Sequence, residues 1–136
     1  MGVTFDVDVA APPGGVPWVP ARRSYSLEDD GLAHSWDGFV WCNPPYSSPF
    51  AWCDKWATHR NGLILLRADL SSRGPAAAFA AATSMFVPTP RLQFVNGHGE
   101  KRGAADFSTV LLGAGVDADQ ALHGLRDKGV FRELVD

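Results

Sequence analysis

The sequence predicts an α/β domain, and the alternation of strand-like and helical segments indicates this class. Segments with the two-residue period of a strand alternate with segments of helical composition, which is not the pattern of a bundle or a sandwich. The chain has 136 residues, of which 46% are apolar and 20% charged, enough for one core of ordinary size. Because no repeat, linker or low-complexity block interrupts the pattern, we predict one domain over residues 1–136.

Charge and cysteine content limit the partners and the setting. The formal net charge of −3 argues against a broad cationic surface, so a polyanion would have to be contacted locally. The chain has two cysteines, no recognisable secretory leader and no apolar run long enough to cross a bilayer. We therefore expect a cytoplasmic protein with no membrane partner. The four histidines lie among polar neighbours, which favours solvated side chains over a metal site.

The first part of the chain predicts two strands separated by an irregular segment. VTFDVDVA at 3–10 alternates apolar residues with Asp6 and Asp8, so this strand ends in an acid. APPGGVPWVPARRS at 11–24 is rich in proline and glycine, which predicts an ordered but irregular loop. SLEDDGL then leads into a short turn, and GFVWC at 38–42 is the second predicted strand.

Two helices and a buried strand are predicted next. Residues 49–60 predict a helix with two apolar stripes, Phe50, Cys53 and Ala57 on one and Trp52 and Trp56 on the other. GLILLRA at 62–68 is a nearly continuous apolar run, typical of a strand that is buried on both faces. A second helix should begin at Ser71 or Ser72, with Pro75 in its first turn and alanines behind it.

The last part of the chain predicts three strands and a final helix. The strands are SMFV at 84–87, RLQFV at 91–95 and FSTVLL at 107–112, and a polar loop at 96–106 separates the last two. Asp117 is predicted to cap the helix DADQALHGLRDK, and Gly129 to close it.

The stretch WCNPPYSSPF at 41–50 carries the clearest functional signal. An apolar strand runs directly into Asn43-Pro44-Pro45-Tyr46, where two prolines hold one amide and one aromatic ring in a stiff, extended backbone. Ligands of open α/β sheets bind outside the carboxyl ends of the strands. Since Asp8 also ends a strand, Asp8 and Asn43 could face one crevice. The structural alternative is a rigid turn after an edge strand.

On these residues the chain resembles the phage DNA N6-adenine methyltransferases of the Dam type. The similar segments are FDVDVAA at 5–11, YSLEDDGLAHSWDGFVWCNPPYS at 25–47, and RLQF at 91–94 followed by DFSTVLL. The resemblance implies a reduced Rossmann-like methyltransferase fold, a mixed sheet flanked by helices, in the cytoplasm of a bacterial host. It also implies S-adenosylmethionine as methyl donor and adenine-containing DNA as substrate. The chain departs from the family pattern in one respect: the FxGxG motif expected after the first strand is absent, and APPGGVP stands in its place.

The resemblance gives the Asn-Pro-Pro-Tyr turn a catalytic role. An exocyclic adenine amine is a weak nucleophile because its lone pair is delocalised into the ring. The Asn43 side-chain oxygen and the Pro44 carbonyl would accept its two N–H groups and direct the lone pair at the donor methyl group. The adenine would be flipped out or already unpaired, with Tyr46 as the stacking platform and Pro45 keeping the turn rigid.

The donor is cationic at its sulfonium and α-amino groups, so acidic and aromatic neighbours suit it. Asp8 matches the acidic residue that follows the first strand in the family, and Ala10 and Ala11 allow close approach of the backbone. Asp29 or Asp30 is a candidate for the ribose or adenine of the donor. For this acidic pair, a helix N-terminus or a solvated turn is the alternative interpretation.

Several roles stay open at the level of the sequence. Basic residues that could contact phosphates, or equally be scattered solubilising charges, are Lys55, His59, Arg60, Arg22, Arg23, Lys101 and Arg102. Trp41, Trp52 and Trp56 are interpreted as packing residues. A protein-glutamine methyltransferase and a non-catalytic DNA-binding relic of the fold are the alternative functions. The recognition sequence, the strandedness of the DNA and the oligomeric state are not given by the sequence.

Overall fold

A computed structural model describes residues 2–12, 15, 19–45, 47–89, 93–95, 101–104 and 108–134. The strands are β1 Phe5–Asp8, β2 Ala21–Ser24, β3 Val40–Cys42, β4 Gly62–Arg67, β5 Ser84–Pro88, β6 Gln93–Val95, β7 Lys101–Ala104, β8 Thr109–Ala114 and β9 Gly129–Glu133. The helices are α1 Phe50–His59, α2 Arg73–Ala81 and α3 Val116–His123, with short 3-10 helices at Gly31–Ala33 and Arg126–Lys128.

Seven of these strands form one mixed sheet, in the order β2-β1-β3-β4-β8-β5-β9. The first four strands run parallel, with β1 between β2 and β3. β8 runs antiparallel to both β4 and β5, and β9 runs antiparallel to β5. The predicted α/β class, with a mixed sheet and flanking helices, is confirmed.

Helices cover both faces of this sheet. On one face, Trp56 of α1 and Ala78 of α2 join a buried cluster that includes Ile64 of β4. On the other face, Leu122 of α3 joins a second cluster that includes Leu63. Adjacent residues of β4 therefore belong to different cores, which confirms that the GLILLRA run is a strand buried on both faces.

The first two helices lie where the sequence predicts them. α2 has Ser72 at its N-cap, and α1 buries Cys53 and Trp56. The predicted stripe of α1 is wrong at Phe50, whose side chain is 36% exposed. Its ring lies under the guanidinium group of Arg73 at the start of α2, 4.2 Å from the ring centroid, rather than in the core.

The irregular loop predicted at 11–24 is wrong for its last four residues, which form the edge strand β2. Parallel pairing with β1 continues beyond the strand, where Tyr25 N–H donates to the Asp8 carbonyl oxygen at 2.9 Å. Arg22 and Arg23 are both exposed, so this strand has no apolar alternation. Pairing with a neighbour, and not local pattern, makes it a strand.

The polar loop predicted at 96–106 contains a strand that the sequence does not predict. Lys101–Ala104 forms β7 and pairs antiparallel with β6, apart from the main sheet. The predicted strand at 91–95 is present over its last three residues. Residues 90–92, 96–100 and 105–107 lie outside the described part of the chain.

The C-terminal helix differs from its prediction at both ends. Gly115, not Asp117, is its N-cap, and the Gly115 N–H donates to the Thr83 hydroxyl at 3.1 Å. The helix ends at His123, and Gly129 begins β9 instead of closing the helix. A Cβ atom at Gly129 would stand 2.2 Å from a backbone oxygen of β5, so the glycine permits close strand pairing.

Candidate functional site

The parallel strands form a topological switch point between β1 and β3. From β1 the chain passes to β2 on one side of it, and later to β3 on the other. The loops after β1 and β3 therefore diverge and leave a crevice, which is where open α/β sheets bind ligands. Asp8 pairs with Trp41, so Ala10 and Asn43 leave the sheet at equivalent positions.

A cavity of about 600 Å³ occupies this crevice, a volume typical of cofactor sites. The predicted site residues that line it are Ala10, Ala11, Asp30, Asn43, Pro44 and Pro45. Ser26, Leu27, Gly31 and Trp52 also line it. Residues predicted from three separate segments thus share one cavity.

The Asn-Pro-Pro turn presents its amide beside this cavity. Asn43 is exposed although it directly follows the fully buried Cys42, and Pro44 is buried. The Pro45 carbonyl oxygen accepts the Ser48 N–H at 3.2 Å, which closes the turn before α1. Tyr46 lies outside the described residues, so its stacking role stays a prediction.

Asp8 is 3% exposed, and its carboxylate is not among the groups that line the cavity in the described part of the chain. Its Oδ1 accepts the N–H of Ala10, which does line the cavity, at 3.3 Å. Burial raises the pKa of Asp8 to about 6, and the Ala10 hydrogen bond lowers it by a smaller amount. With this pKa the carboxylate is mostly ionised at pH 7, and its role in donor binding stays a prediction.

The two acids of the EDDGL segment have different surroundings. Asp29 Oδ2 accepts hydrogen bonds from the Ser26 N–H at 2.9 Å and the Ser26 hydroxyl at 3.1 Å, and these bonds lower the pKa of Asp29. Asp30 lines the cavity and has a left-handed backbone, φ 56° and ψ 79°. Such a backbone is uncommon for residues other than glycine and is concentrated at functional sites. Of the pair, Asp30 is the better placed for a ligand.

Close packing fixes the EDDGL turn against β1. A Cβ atom at Gly31 would stand 2.0 Å from the Val9 carbonyl oxygen, so only glycine fits there. The Trp36 indole N–H donates to the Gly31 carbonyl oxygen at 2.8 Å, and the Trp36 ring stacks on Trp52 with centroids 6.3 Å apart. The wall that carries Asp30 is therefore held rigidly.

Sequence reasoning does not identify Trp52 and Leu27 as site residues. Trp52 packs against the core, as predicted, but it is half-buried and also lines the cavity. Trp52 lies in the first turn of α1, directly after the Asn-Pro-Pro-Tyr motif, and this position could have indicated a site residue. Leu27 is 92% exposed at the cavity, and an isolated leucine in a polar turn gives no such signal.

The other two tryptophans are packing residues, as predicted. Trp56 is fully buried in α1, and Trp41 lies beside Phe5 with ring centroids 5.6 Å apart.

Several of the basic residues considered for phosphate contacts have structural partners. Lys55 and His59 bond to backbone oxygens of residues 32–38. Arg60 caps the C-terminal end of α1, whereas the cavity lies at the N-terminal end. Arg22 lies 4.0 Å from Asp6. The side chains of Lys101 and Arg102 are outside the described part of the chain.

Neither a metal cluster nor a membrane span is found where the structure is described. There, no group of three or more His, Cys, Asp or Glu side chains could hold a metal ion. In the same residues, no helix combines the length and the apolar character that a membrane span requires. Cys42 and Cys53 are free buried thiols, and burial raises the pKa of Cys53 to about 11 and that of Cys42 well above its usual value.

The chain belongs to the Dam family of DNA N-6-adenine-methyltransferases, whose family model matches residues 2–113. The match includes every residue named above as lining the cavity, and it confirms the family predicted from the sequence. No curated protein and no solved structure matches the chain. Membership implies in general a transferase that methylates adenine in DNA, and methyltransferases of this family typically use S-adenosylmethionine.

Proposed function

We propose that the protein transfers the methyl group of S-adenosylmethionine to the N6 amine of adenine in DNA, on a Rossmann-like methyltransferase fold. The observation that carries the proposal is the shared cavity at the β1–β3 switch point. There the Asn43-Pro44-Pro45 turn meets the loop after β1, within about 600 Å³. Acceptor and donor would therefore be held by the two sides of one crevice.

The donor side of the cavity suits a sulfonium nucleoside. Asp30 supplies a carboxylate at the wall, and Trp52 and Leu27 supply apolar surface for a ring. Ala10 allows a ligand to approach the backbone closely because its side chain is small. Once bound, the donor supplies an electrophilic methyl group. The protein's own task is to hold it and exclude water.

The acceptor side of the cavity suits an exocyclic amine. The Asn43 side-chain oxygen and the Pro44 carbonyl oxygen are hydrogen-bond acceptors, which matches the two N–H groups of adenine N6. Pro44 is buried, so its carbonyl is fixed, whereas Asn43 is exposed and can reach a base that enters from solvent. Such preorganised acceptors favour the tetrahedral nitrogen of the transition state. We assign Tyr46 to stacking on the flipped or unpaired base.

Mass spectrometry of the methylated product tests the proposal. The purified protein is incubated with S-adenosylmethionine and adenine-containing oligonucleotides, single- and double-stranded, and the DNA is digested to nucleosides. We expect N6-methyladenine, a modest change with Tyr46→Phe and a large loss with Tyr46→Ala. Methylglutamine in added protein without methylated DNA would instead support the glutamine alternative. If calorimetry shows no donor binding, the non-catalytic alternative holds.

A further inference from the structure

Among the described residues at the carboxyl edge of the parallel strands, an acidic cluster lies on one side of Asn43 and two arginines lie on the other. On the β2 side, the turn after this strand carries three exposed acids, Glu28, Asp29 and Asp30. On the β4 side, Arg67 ends the strand and Arg73 begins α2, and both are exposed. β3, which leads into Asn43, lies between β1 and β4 in the sheet, so the two groups flank the proposed catalytic turn.

The two arginines lie at the same edge of the sheet as the Asn-Pro-Pro turn. Cys42, which ends β3, pairs with Ile64, and β4 continues in parallel to Arg67, so the turn after β3 and Arg67 lie at the carboxyl ends of neighbouring strands. The start of α2 rests on the start of α1, because a Cβ atom at Gly74 would stand only 2.8 Å from the Phe50 Cα. Arg73 is thus fixed beside the helix that directly follows the turn.

One acid also lies on this side. Asp69 is exposed, and its Oδ1 accepts the Ser71 hydroxyl at 2.9 Å. Among the described residues, this side therefore carries two arginines and one carboxylate. Arg23, one of the two exposed arginines of β2, lines a depression with Asp37 and Gly38, which precede β3, so it lies toward the opposite edge of the sheet.

We propose that Arg67, Arg73 and Phe50, here called the arginine face, hold the DNA strand beside the target adenine. The inference rests on the proposed function. Arginines bind phosphates, and the exposed Phe50 ring beneath Arg73 offers a surface on which a base can stack. The three acids across the crevice repel DNA and suit a cationic donor. Donor and DNA therefore approach Asn43 from opposite sides, and a protein of net charge −3 contacts its polyanion locally.

Salt-dependent DNA binding tests the arginine face. The double variant Arg67→Gln/Arg73→Gln is compared with Arg126→Gln/Arg132→Gln, which removes the same charge from exposed positions near the C-terminus. Binding of a labelled adenine-containing duplex is followed by fluorescence anisotropy over a range of salt concentrations. The first pair should weaken binding roughly tenfold or more, and the log-log salt slope should fall by about 2, near 0.9 per lost phosphate contact. The control pair should change binding less than about twofold.

Phe50→Ala should weaken binding without changing the salt slope, because it removes a stacking surface and no charge. Equal losses from both arginine pairs would show an effect of total charge and overturn the inference. Unchanged DNA binding by Arg67→Gln/Arg73→Gln, when the parent protein methylates DNA, would also overturn the inference. The proposed function would then survive. A parent that binds the donor and no DNA would overturn both.

Discussion

Asp8, at the end of β1, and Asp119, on α3 beside β5, are two carboxylates at the two halves of the sheet, and they are held differently. In the antiparallel half, Asp119 Oδ1 accepts hydrogen bonds from the hydroxyls of Thr83 and Ser84, each at 2.6 Å. In the parallel half, Asp8 accepts a longer bond of 3.3 Å from the Ala10 N–H, and burial raises the pKa of Asp8 to about 6.

This difference distinguishes a polar cluster that holds the fold together from a weakly compensated buried acid, for which we propose a functional role. The Thr83 hydroxyl that donates to Asp119 also accepts the Gly115 N–H at 3.1 Å, so the cluster joins β5 to the start of α3. Its role in the fold is a sufficient explanation. The buried charge of Asp8 costs free energy, and weakly compensated charges of this kind are concentrated at sites that use them. The antiparallel half supports the fold, and the parallel half carries the cavity.

The largest expected effect is on catalysis in the parallel half. Asn43→Ala should lower the single-turnover methylation rate roughly 10²- to 10³-fold, because it removes a preorganised acceptor for the reacting amine. Donor binding should change less than about twofold. Gln120→Ala, which removes an exposed amide from α3, is the matched control. A near-parental rate for Asn43→Ala would remove the turn from the chemistry.

The next largest effect should follow from filling the space at Gly31. Gly31→Ala places a Cβ atom 2.0 Å from the Val9 carbonyl oxygen, so the turn that carries Asp30 must move. We expect a loss of about 3 kcal/mol in the free energy of unfolding, together with weaker donor binding. In Gly124→Ala the added atom lies 3.3 Å from its nearest neighbour, and a small change is expected. Denaturant melts that show equal losses would contradict this packing argument.

Asp8→Asn should give a pH-dependent gain in stability. The pKa of Asp8 is raised by folding from 3.8 to about 6, so the folded parent binds the proton more tightly than the unfolded chain. The parent therefore loses stability as pH rises from about 4 to about 6, and Asp8→Asn lacks this loss. The difference should reach about 2 to 3 kcal/mol above pH 6 and vanish below pH 4. A pH-independent difference in urea midpoints would show that desolvation does not govern this acid.

The smallest effect should come from the structural cluster. Asp119→Ala leaves the Ser84 hydroxyl buried without this acceptor, which should cost about 1 to 2 kcal/mol of stability. The methylation rate per folded molecule should equal that of the parent, because the cluster is remote from the cavity. A selective loss of rate at unchanged stability would break the distinction between the two halves.

Much of the fold is predictable because its central elements have strong local patterns. The continuous apolar run predicts β4, and the helix propensity of the alanines predicts α2. β2, β7 and β9 could not be predicted, because ARRS, KRGA and GVFRE become strands only by pairing with neighbours distant in the chain. The prediction of Asp117 as the N-cap of α3 fails for a similar reason. Gly115 begins the helix because its N–H bonds to the hydroxyl of Thr83, about thirty residues earlier in the chain.

The site is predictable in its parts but not in its assembly. The resemblance and the strand ends indicate Asp8 and Asn43, and strand order then decides that their loops share one crevice. The choice between Asp29 and Asp30 depends on the turn, where Ser26 binds the first and a left-handed backbone brings the second to the cavity. Such choices depend on backbone geometry that the sequence pattern does not show.

The central claim, that this cavity binds the donor, is tested most directly by calorimetric titration of S-adenosylmethionine into two matched variants. Asp30→Asn removes the carboxylate at the cavity wall, and asparagine tolerates the left-handed backbone at this position. Glu28→Gln removes an exposed acid two residues away. We predict that Asp30→Asn raises Kd at least about tenfold, as loss of a charged hydrogen-bond partner does, and that Glu28→Gln changes it less than about twofold. Equal Kd values for Asp30→Asn and the parent would contradict the claim.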